Sequence, residues 1–156
     1  MDLRDFIKNY GDDSEKLISF AWNGEHGDGL RDSNMFFRHE VIRYLLADLS
    51  VASPQLLRHL FRAETKLSKE AWGTNLWVHV IAQQMLIDGG DPYVEEFLRG
   101  KLRSFDTMLE CSRVEIPQIL AKQFAELCVS NNASANAEKD HHLWEHGVEF
   151  FSQLAG

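Results

Sequence analysis

Apolar residues recur along most of the chain with the period of about 3.6 that helices show, rather than the period of two that strands show. A clear example is the stripe formed by Leu56, Leu57, Leu60 and Phe61. We therefore predict an all-α protein, with helices at 2–10, 14–22, 34–49, 54–66, 75–88, 92–103, 117–130 and 138–154 and a short additional helix at 69–73. The polar, small-residue stretches 23–33 and 130–136 are predicted to be loops.

Two helix starts share one pattern, a capping residue followed by proline. Ser53-Pro54 and Asp91-Pro92 each place a side-chain acceptor before a proline that needs no hydrogen-bond partner. The interval between them leaves room for two helices and two turns, the size of one helix-pair repeat. This favours a single domain over 1–156, built as stacked antiparallel helix pairs in the manner of a helical repeat. An up-and-down helix bundle is the alternative.

The distribution of apolar residues predicts which side chains form the core. The helix at 75–88 is apolar on nearly all sides and should be central, and the last helix has a broad core face. Trp77 and Trp144 are therefore predicted to be structural. Arg38 and Asp48 lie on the apolar side of helix 34–49, and we expect both to extend past the core to water. The alternative is a buried ion whose partner lies elsewhere in the sequence.

The length and composition indicate where the protein works. A chain of 156 residues matches one domain, and it contains no apolar stretch long enough to span a bilayer. Its first residues carry acids where a signal peptide carries bases, which predicts a cytoplasmic protein that does not bind membranes. Cys111 and Cys128 lack metal-ligand spacing and are expected to be reduced thiols.

The net charge and its distribution along the chain indicate which kind of partner to expect. The net charge of −8 argues against nucleic acid, because the phosphate backbone would be repelled. The negative excess lies towards the two ends of the chain, with 10 acids against 6 bases in residues 1–52 and 8 against 3 in residues 105–156. An acidic surface of this kind suits a basic protein partner.

The loop at 23–33 and the last helix contain the residues that we expect to bind such a partner. The loop is rich in glycine, and such loops adapt to partners. The predicted partner-binding residues are Glu25, His26, Asp28, Arg31 and Asp32 in the loop, and Glu145 and Glu149 on the outer face of the last helix. A competing site is the basic stripe Arg58, Arg62 and Lys66, which would instead favour an acidic or phosphorylated partner.

One histidine pattern carries a metal alternative. His142 and His146 are four residues apart with Glu145 between them, the H-x-x-E-H order of inverted zinc proteases. Adding His39 or His59 from an earlier helix gives a set that resembles, in spacing alone, the three-histidine metal site of DinB-like four-helix bundles. The resemblance implies a metal-binding helical bundle or metal-dependent hydrolase using His39, His142 and His146. Helical geometry places His142 and His146 away from the core face, on the polar side.

Other catalytic patterns are absent. The chain has no phosphate-binding glycine loop, no G-x-S-x-G and no second E-x-x-H, and His79 is predicted to be a core histidine with its polar atoms satisfied. We therefore predict no cofactor, and a protein-binding module rather than an enzyme. An inhibitor or immunity-type protein that masks a basic partner fits the size and charge, and a homo-oligomer is a further arrangement that the sequence leaves open.

Overall fold

The computed structural model describes all 156 residues, and it is all-helical, as predicted. Four short 3-10 helices, Asp12–Leu17, Gly27–Gly29, Leu49–Val51 and Asp91–Tyr93, lie between eight α-helices. The α-helices are α1 Leu3–Lys8, α2 Met35–Leu45, α3 Pro54–Ala71, α4 Val78–Gly89, α5 Val94–Lys101, α6 Phe105–Cys111, α7 Gln118–Ser134 and α8 Glu138–Ala155. None of them combines the length and the apolar content that a membrane crossing requires.

The two cap-then-proline signals have different outcomes. The hydroxyl of Ser53 accepts a hydrogen bond from the amide of Leu56 at 3.2 Å, so α3 begins as predicted. Asp91 does not cap a helix. Its carboxylate accepts a hydrogen bond from the Gln123 side chain at 2.8 Å, and the 3-10 helix Asp91–Tyr93 precedes α5. The second signal therefore marks a tie between α7 and the start of α5.

Two sequential pairs of helices pack antiparallel. Glu64 of α3 accepts a hydrogen bond from Trp77 just before α4, and Arg58 at the start of α3 donates to Pro92 just after α4. In the second pair, His141 near the start of α8 bonds Asn132 near the end of α7. The other end of α8 closes on the start of α7. Four of the eight α-helices are therefore arranged as two antiparallel pairs.

Phe97 of α5 joins the two pairs. Its ring lies 6.2 Å from that of Phe61 on α3, and 5.5 and 5.8 Å from those of Phe150 and Phe151 on α8. All four side chains are buried in one continuous core that also contains Trp144. Truncation of a buried aromatic of this kind typically costs about 3–5 kcal/mol. The contacts of α5 therefore unite the domain.

Three stretches differ from the predicted elements. The predicted loop 130–136 is wrong over 130–134, because α7 continues to Ser134 and only three residues separate it from α8. The predicted helix 14–22 is instead the 3-10 helix Asp12–Leu17. Helix α6 was not predicted; it is only seven residues long and begins at a capping box between Ser104 and Thr107. Short helices of this kind carry too few apolar repeats to be seen as a period.

Candidate functional site

Arg38 of α2 lies at the centre of a buried ionic network. Its side chain is fully buried, donating from Nη2 to Asp32 Oδ2 at 2.6 Å and from Nε to Glu64 Oε1 at 2.7 Å. The predicted extension of Arg38 to water is therefore wrong, and the alternative of a buried ion holds. Both carboxylates are also fully buried, so the network carries two acids on one base.

Glu64 collects the other donors of the network. It accepts hydrogen bonds from His39 Nε2 at 3.0 Å, from the Asn75 amide at 3.0 Å and from the Trp77 indole at 2.8 Å. Burial alone would raise the pKa of Glu64, but the hydrogen bond from His39 and the charge of Arg38 outweigh it and lower the pKa to about 2. The network is thus fully satisfied, and it fixes α2, α3 and the turn before α4 to one another.

Asp32 fastens the loop at 23–33 to this network. Its second oxygen, Oδ1, accepts the backbone amides of Ala21 at 3.0 Å and Asn34 at 3.1 Å. A backbone bridge between Trp22 and Asp32 closes the loop at its neck. Asp32 was predicted to face a partner, and this placement is wrong, because its carboxylate is buried and used within the chain.

Outside this anchor, the loop packs its aromatic residues on the end of α3. The ring of His26 lies 5.0 Å from that of Trp22 and stacks on that of Trp72 at 6.0 Å with an interplanar angle of 19°. The Nδ1 of His26 lies 3.2 Å from the backbone carbonyl of Glu70, within hydrogen-bond reach when that nitrogen carries the proton. The loop therefore holds the three rings in a row on the surface.

Two further exposed apolar side chains belong to α2 and to the turn before α4, which the Glu64 network joins to α3. Phe36 and Leu76 are 78% and 71% exposed. Phe36 precedes His39 by one turn of α2 and Leu76 directly precedes Trp77, and the rings of His39 and Trp77 are 5.0 Å apart. We call this set the loop-end surface; its members are Trp22, His26, Phe36, Trp72 and Leu76.

Trp72 is the most unusual member of the loop-end surface. It ends α3 in the left-handed conformation, with φ 53° and ψ 47°, and is the only residue other than glycine with positive φ. Its side chain is nevertheless 79% exposed. A left-handed residue after a helix is usually glycine, because a Cβ atom clashes with the backbone there.

The remaining loop residues of the predicted site, apart from Asp32, are exposed. Glu25 and Asp28 have solvent-facing carboxylates, and Glu25 accepts the Trp22 indole hydrogen at 2.7 Å through its backbone carbonyl. Arg31 donates to the carbonyls of Asp28 and Leu30 at 2.8 Å, so its charge braces the loop. Of the five predicted loop residues, His26 thus belongs to the loop-end surface, Glu25, Asp28 and Arg31 are exposed in the same loop, and Asp32 is buried.

Glu145 and Glu149 occupy a different element. Both are exposed on α8, as predicted, and α8 packs on α7 and α5. The loop at 23–33 is fastened to α3 instead. The structure therefore presents two groups of exposed acids, one in the loop that contains His26 and one on α8.

Two of the three side chains of the basic stripe on α3 already interact with other side chains of the same chain. Arg62 pairs with Glu96 at 2.5 Å and with Glu15 at 3.2 Å. Arg58 stacks its guanidinium over the ring of Tyr93 at 4.1 Å. These internal partners weaken the case for the stripe as a site for an acidic partner.

The three-histidine metal set does not assemble. His39 belongs to the Glu64 network, and His146 stacks along the ring of Phe150 with its Nε2 buried and without a partner. The predicted outward position of His146 is therefore wrong, whereas His142 is exposed. No group of three or more His, Cys, Asp or Glu side chains is placed to hold a metal ion, which contradicts the alternative set His39, His142 and His146.

His79 has the satisfied environment that was predicted. Its Nδ1 bonds Glu110 of α6 at 2.6 Å, and the second oxygen of Glu110 lies 3.4 Å from Arg113. This pair ties α4 to α6 at the opposite end of α4 from Gly89.

Sequence reasoning missed four of the five members of the loop-end surface. Trp72 sits directly before Gly73 and after the last turn of a strongly amphipathic helix, which is a recognisable signal for an exposed aromatic at a helix end. Trp22, Phe36 and Leu76 carry no such signal, because their exposure depends on the closure of a loop and a turn.

Neither protein-family models nor curated proteins nor solved structures give a match to this chain.

Proposed function

We propose that this chain is an acidic protein-binding module that docks a basic segment of a partner protein on the loop-end surface, as an inhibitor or immunity-type protein would. The observation that carries the proposal is the position of Trp72, which keeps a large aromatic ring 79% exposed on a left-handed backbone.

Fold stability gives no reason for a tryptophan at this position. Glycine would take the left-handed conformation without strain, whereas a side chain there costs about 1–2 kcal/mol. The exposed ring recovers little of this cost through burial, since the ring on which it stacks belongs to the half-exposed His26. Strained residues and exposed aromatic groups concentrate at binding sites, and tryptophan is among the residues most enriched at interface hot spots.

The surroundings of Trp72 favour a basic partner. Glu25 and Asp28 carry exposed carboxylates in the loop that contains His26, and the carboxylate of Glu70 lies 3.8 Å from His26. Aromatic faces attract the cations of lysine and arginine, and nearby carboxylates strengthen that preference. The buried Arg38 network below holds the rings in place before binding, which lowers the entropy lost on association.

The proposal is tested by capture from a native lysate with three proteins: the unchanged chain, Trp72→Ala and Phe105→Ala. Phe105 is a matched control, because it is also exposed (68%) but lies on α6. A partner identified with the unchanged chain is then titrated against all three. We expect Trp72→Ala to weaken binding by about 30-fold, as loss of a hot spot worth ~2 kcal/mol does. Equal affinity of Trp72→Ala and the unchanged chain would contradict the proposal.

Charge reversal in the loop tests the chemistry of the partner. Glu25→Lys with Asp28→Lys should slow association, and the difference from the unchanged chain should shrink as salt is raised. Glu145→Lys with Glu149→Lys tests the second group of acids in the same way. If only the α8 reversal weakens binding, the partner docks on α8 and the loop-end surface is not the site.

A further inference from the structure

A second surface feature lies between α1, the end of α2 and the segment that leads into α3. It is a groove of about 530 Å³. Arg4, Ile7 and Lys8 of α1 form one wall, and the opposite wall consists of Tyr44, Val51, Ala52 and Ser53. Its volume falls within the range of about 300–1,000 Å³ that small-molecule sites occupy.

The groove has an apolar floor. Ile7 and Ala52 are buried beneath it, while Val51 stands 54% exposed on its edge. The ring of Tyr44 completes the apolar lining, and its hydroxyl receives a hydrogen bond from Arg4 Nε at 3.4 Å. A ligand with an apolar body would therefore bury apolar surface that the protein alone leaves in water.

The charge of the groove is opposite to that of the whole protein. Arg4 and Lys8 are four residues apart on α1, so both reach the same wall, and no acidic residue contributes to the lining. Asp2 and Asp5 act on Arg4 along α1 from outside the groove. In a chain of net charge −8, two cations over an apolar floor select for an anion.

We propose that this groove binds a small amphiphilic carboxylate, with the carboxylate between Arg4 and Lys8 and the apolar chain on Ile7, Val51 and Ala52. Guanidinium and ammonium groups bind carboxylates through charge-assisted hydrogen bonds, and arginine can do so with two parallel bonds. The site is independent of the loop-end surface, so it holds whether or not the proposed function does.

The probe for this proposal is decanoate below its micellar concentration, compared with decanol and decylammonium by calorimetric titration. We expect one decanoate per chain, bound at least about tenfold more tightly than either of the other two, because only the carboxylate pairs with both cations. The methyl resonances of Ile7 and Val51 should shift during the same titration.

Three variants separate the site from unspecific binding. Arg4→Gln with Lys8→Gln should weaken decanoate binding at least tenfold, and so should Val51→Glu, which places a negative charge on the exposed edge. Lys66→Gln with Lys139→Gln is the control that removes two exposed cations elsewhere, and Trp72→Ala should leave decanoate binding unchanged. Equal binding of decanol and decanoate, or an equal loss in the control pair, would overturn the proposal. So would a titration in which decanoate only dissociates a dimer, because a second copy of the chain would then be the occupant.

Discussion

Arg38 Nε and Glu64 Oε1 lie 2.7 Å apart, and neither side chain reaches solvent. These residues are 26 positions apart in sequence, on α2 and α3, and their pair is completed by Asp32. Removing charges from water is costly, and the cost is offset only when every partner is present. The pair therefore makes the position of the loop at 23–33 depend on the packing of two helices.

Arg38→Met should lower the free energy of unfolding by about 3–5 kcal/mol, because it removes the guanidinium that pairs with both buried carboxylates. Urea denaturation followed by circular dichroism measures this change. The matched control is Arg43→Met, since Arg43 pairs with Glu40 at 2.5 Å on the exposed side of the same helix. The control should change stability by less than ~1 kcal/mol. Similar losses in the two variants would show that the burial of Arg38 is not what matters.

Acid should unfold the protein partly through Glu64. Its pKa in the folded state is about 2, below its ordinary value of 4.5, so its ionised form stabilises the fold. This contribution is complete above pH 4.5 and is lost as the pH falls from 4.5 towards 2. Glu64→Gln should therefore flatten the fall of the unfolding free energy over that window. If Glu64→Gln leaves the fall of the unfolding free energy unchanged over that window, the fall comes from other carboxylates.

Protonation of His146 should destabilise the folded protein. Burial, and then the charge of Lys101, lower the pKa of His146 below its ordinary 6.5, so the native state favours the neutral ring. Stability from this group is complete above pH 6.5 and declines as the pH falls below it. His146→Leu should stabilise the protein by about 1 kcal/mol, because it also removes the unpartnered Nε2, and by more at pH 5 than at pH 8. Thermal melts at both values check this, with the exposed His142→Leu as control.

Gly100 tests the contact between α5 and α3. A Cβ atom at this position would overlap the ring of Phe61, which is fully buried and unable to move aside freely. Gly100→Ala should therefore destabilise by about 1–3 kcal/mol through overpacking, even though alanine favours helices. Gly73→Ala is the control, because the space around Gly73 is open. A stabilising effect at Gly100 would mean that α5 and α3 are less closely packed than the structure shows.

Periodicity predicted most helices because it records which side of a helix is buried. The stripe beginning at Leu56 gave the core face of α3, and the cap at Ser53 gave its start. The sequence prediction ended this helix at 66, five residues before its observed end at Ala71, because Ser68, Lys69 and Glu70 are polar and show no apolar stripe. Elements shorter than two turns, such as α6, contain too few positions for a period.

The candidate site was predicted only in part, since its residues are brought together by contacts remote in sequence. The exposed acids Glu25 and Asp28 follow from loop composition alone. The burial of Asp32 does not, because it depends on Arg38, and the burial of Arg38 depends in turn on its pairing with Glu64. The same ionic network explains why the polar, glycine-rich loop closes at one defined neck, the bridge between Trp22 and Asp32.

Two substitutions at Trp72 can separate the effect of this residue on stability from its effect on binding. Trp72→Gly and Trp72→Ala both delete the ring, but only glycine takes the left-handed backbone at φ 53° without strain. The glycine variant should therefore be more stable than the alanine variant by about 1 kcal/mol in urea denaturation. At Lys69, inside α3, the order should reverse, because alanine favours a right-handed helix over glycine by up to ~1 kcal/mol. Both Trp72 variants should lose partner binding to the same extent, since binding requires the ring. If the glycine variant were the less stable, the tryptophan would be stabilising the fold, and its exposure would no longer argue for a partner.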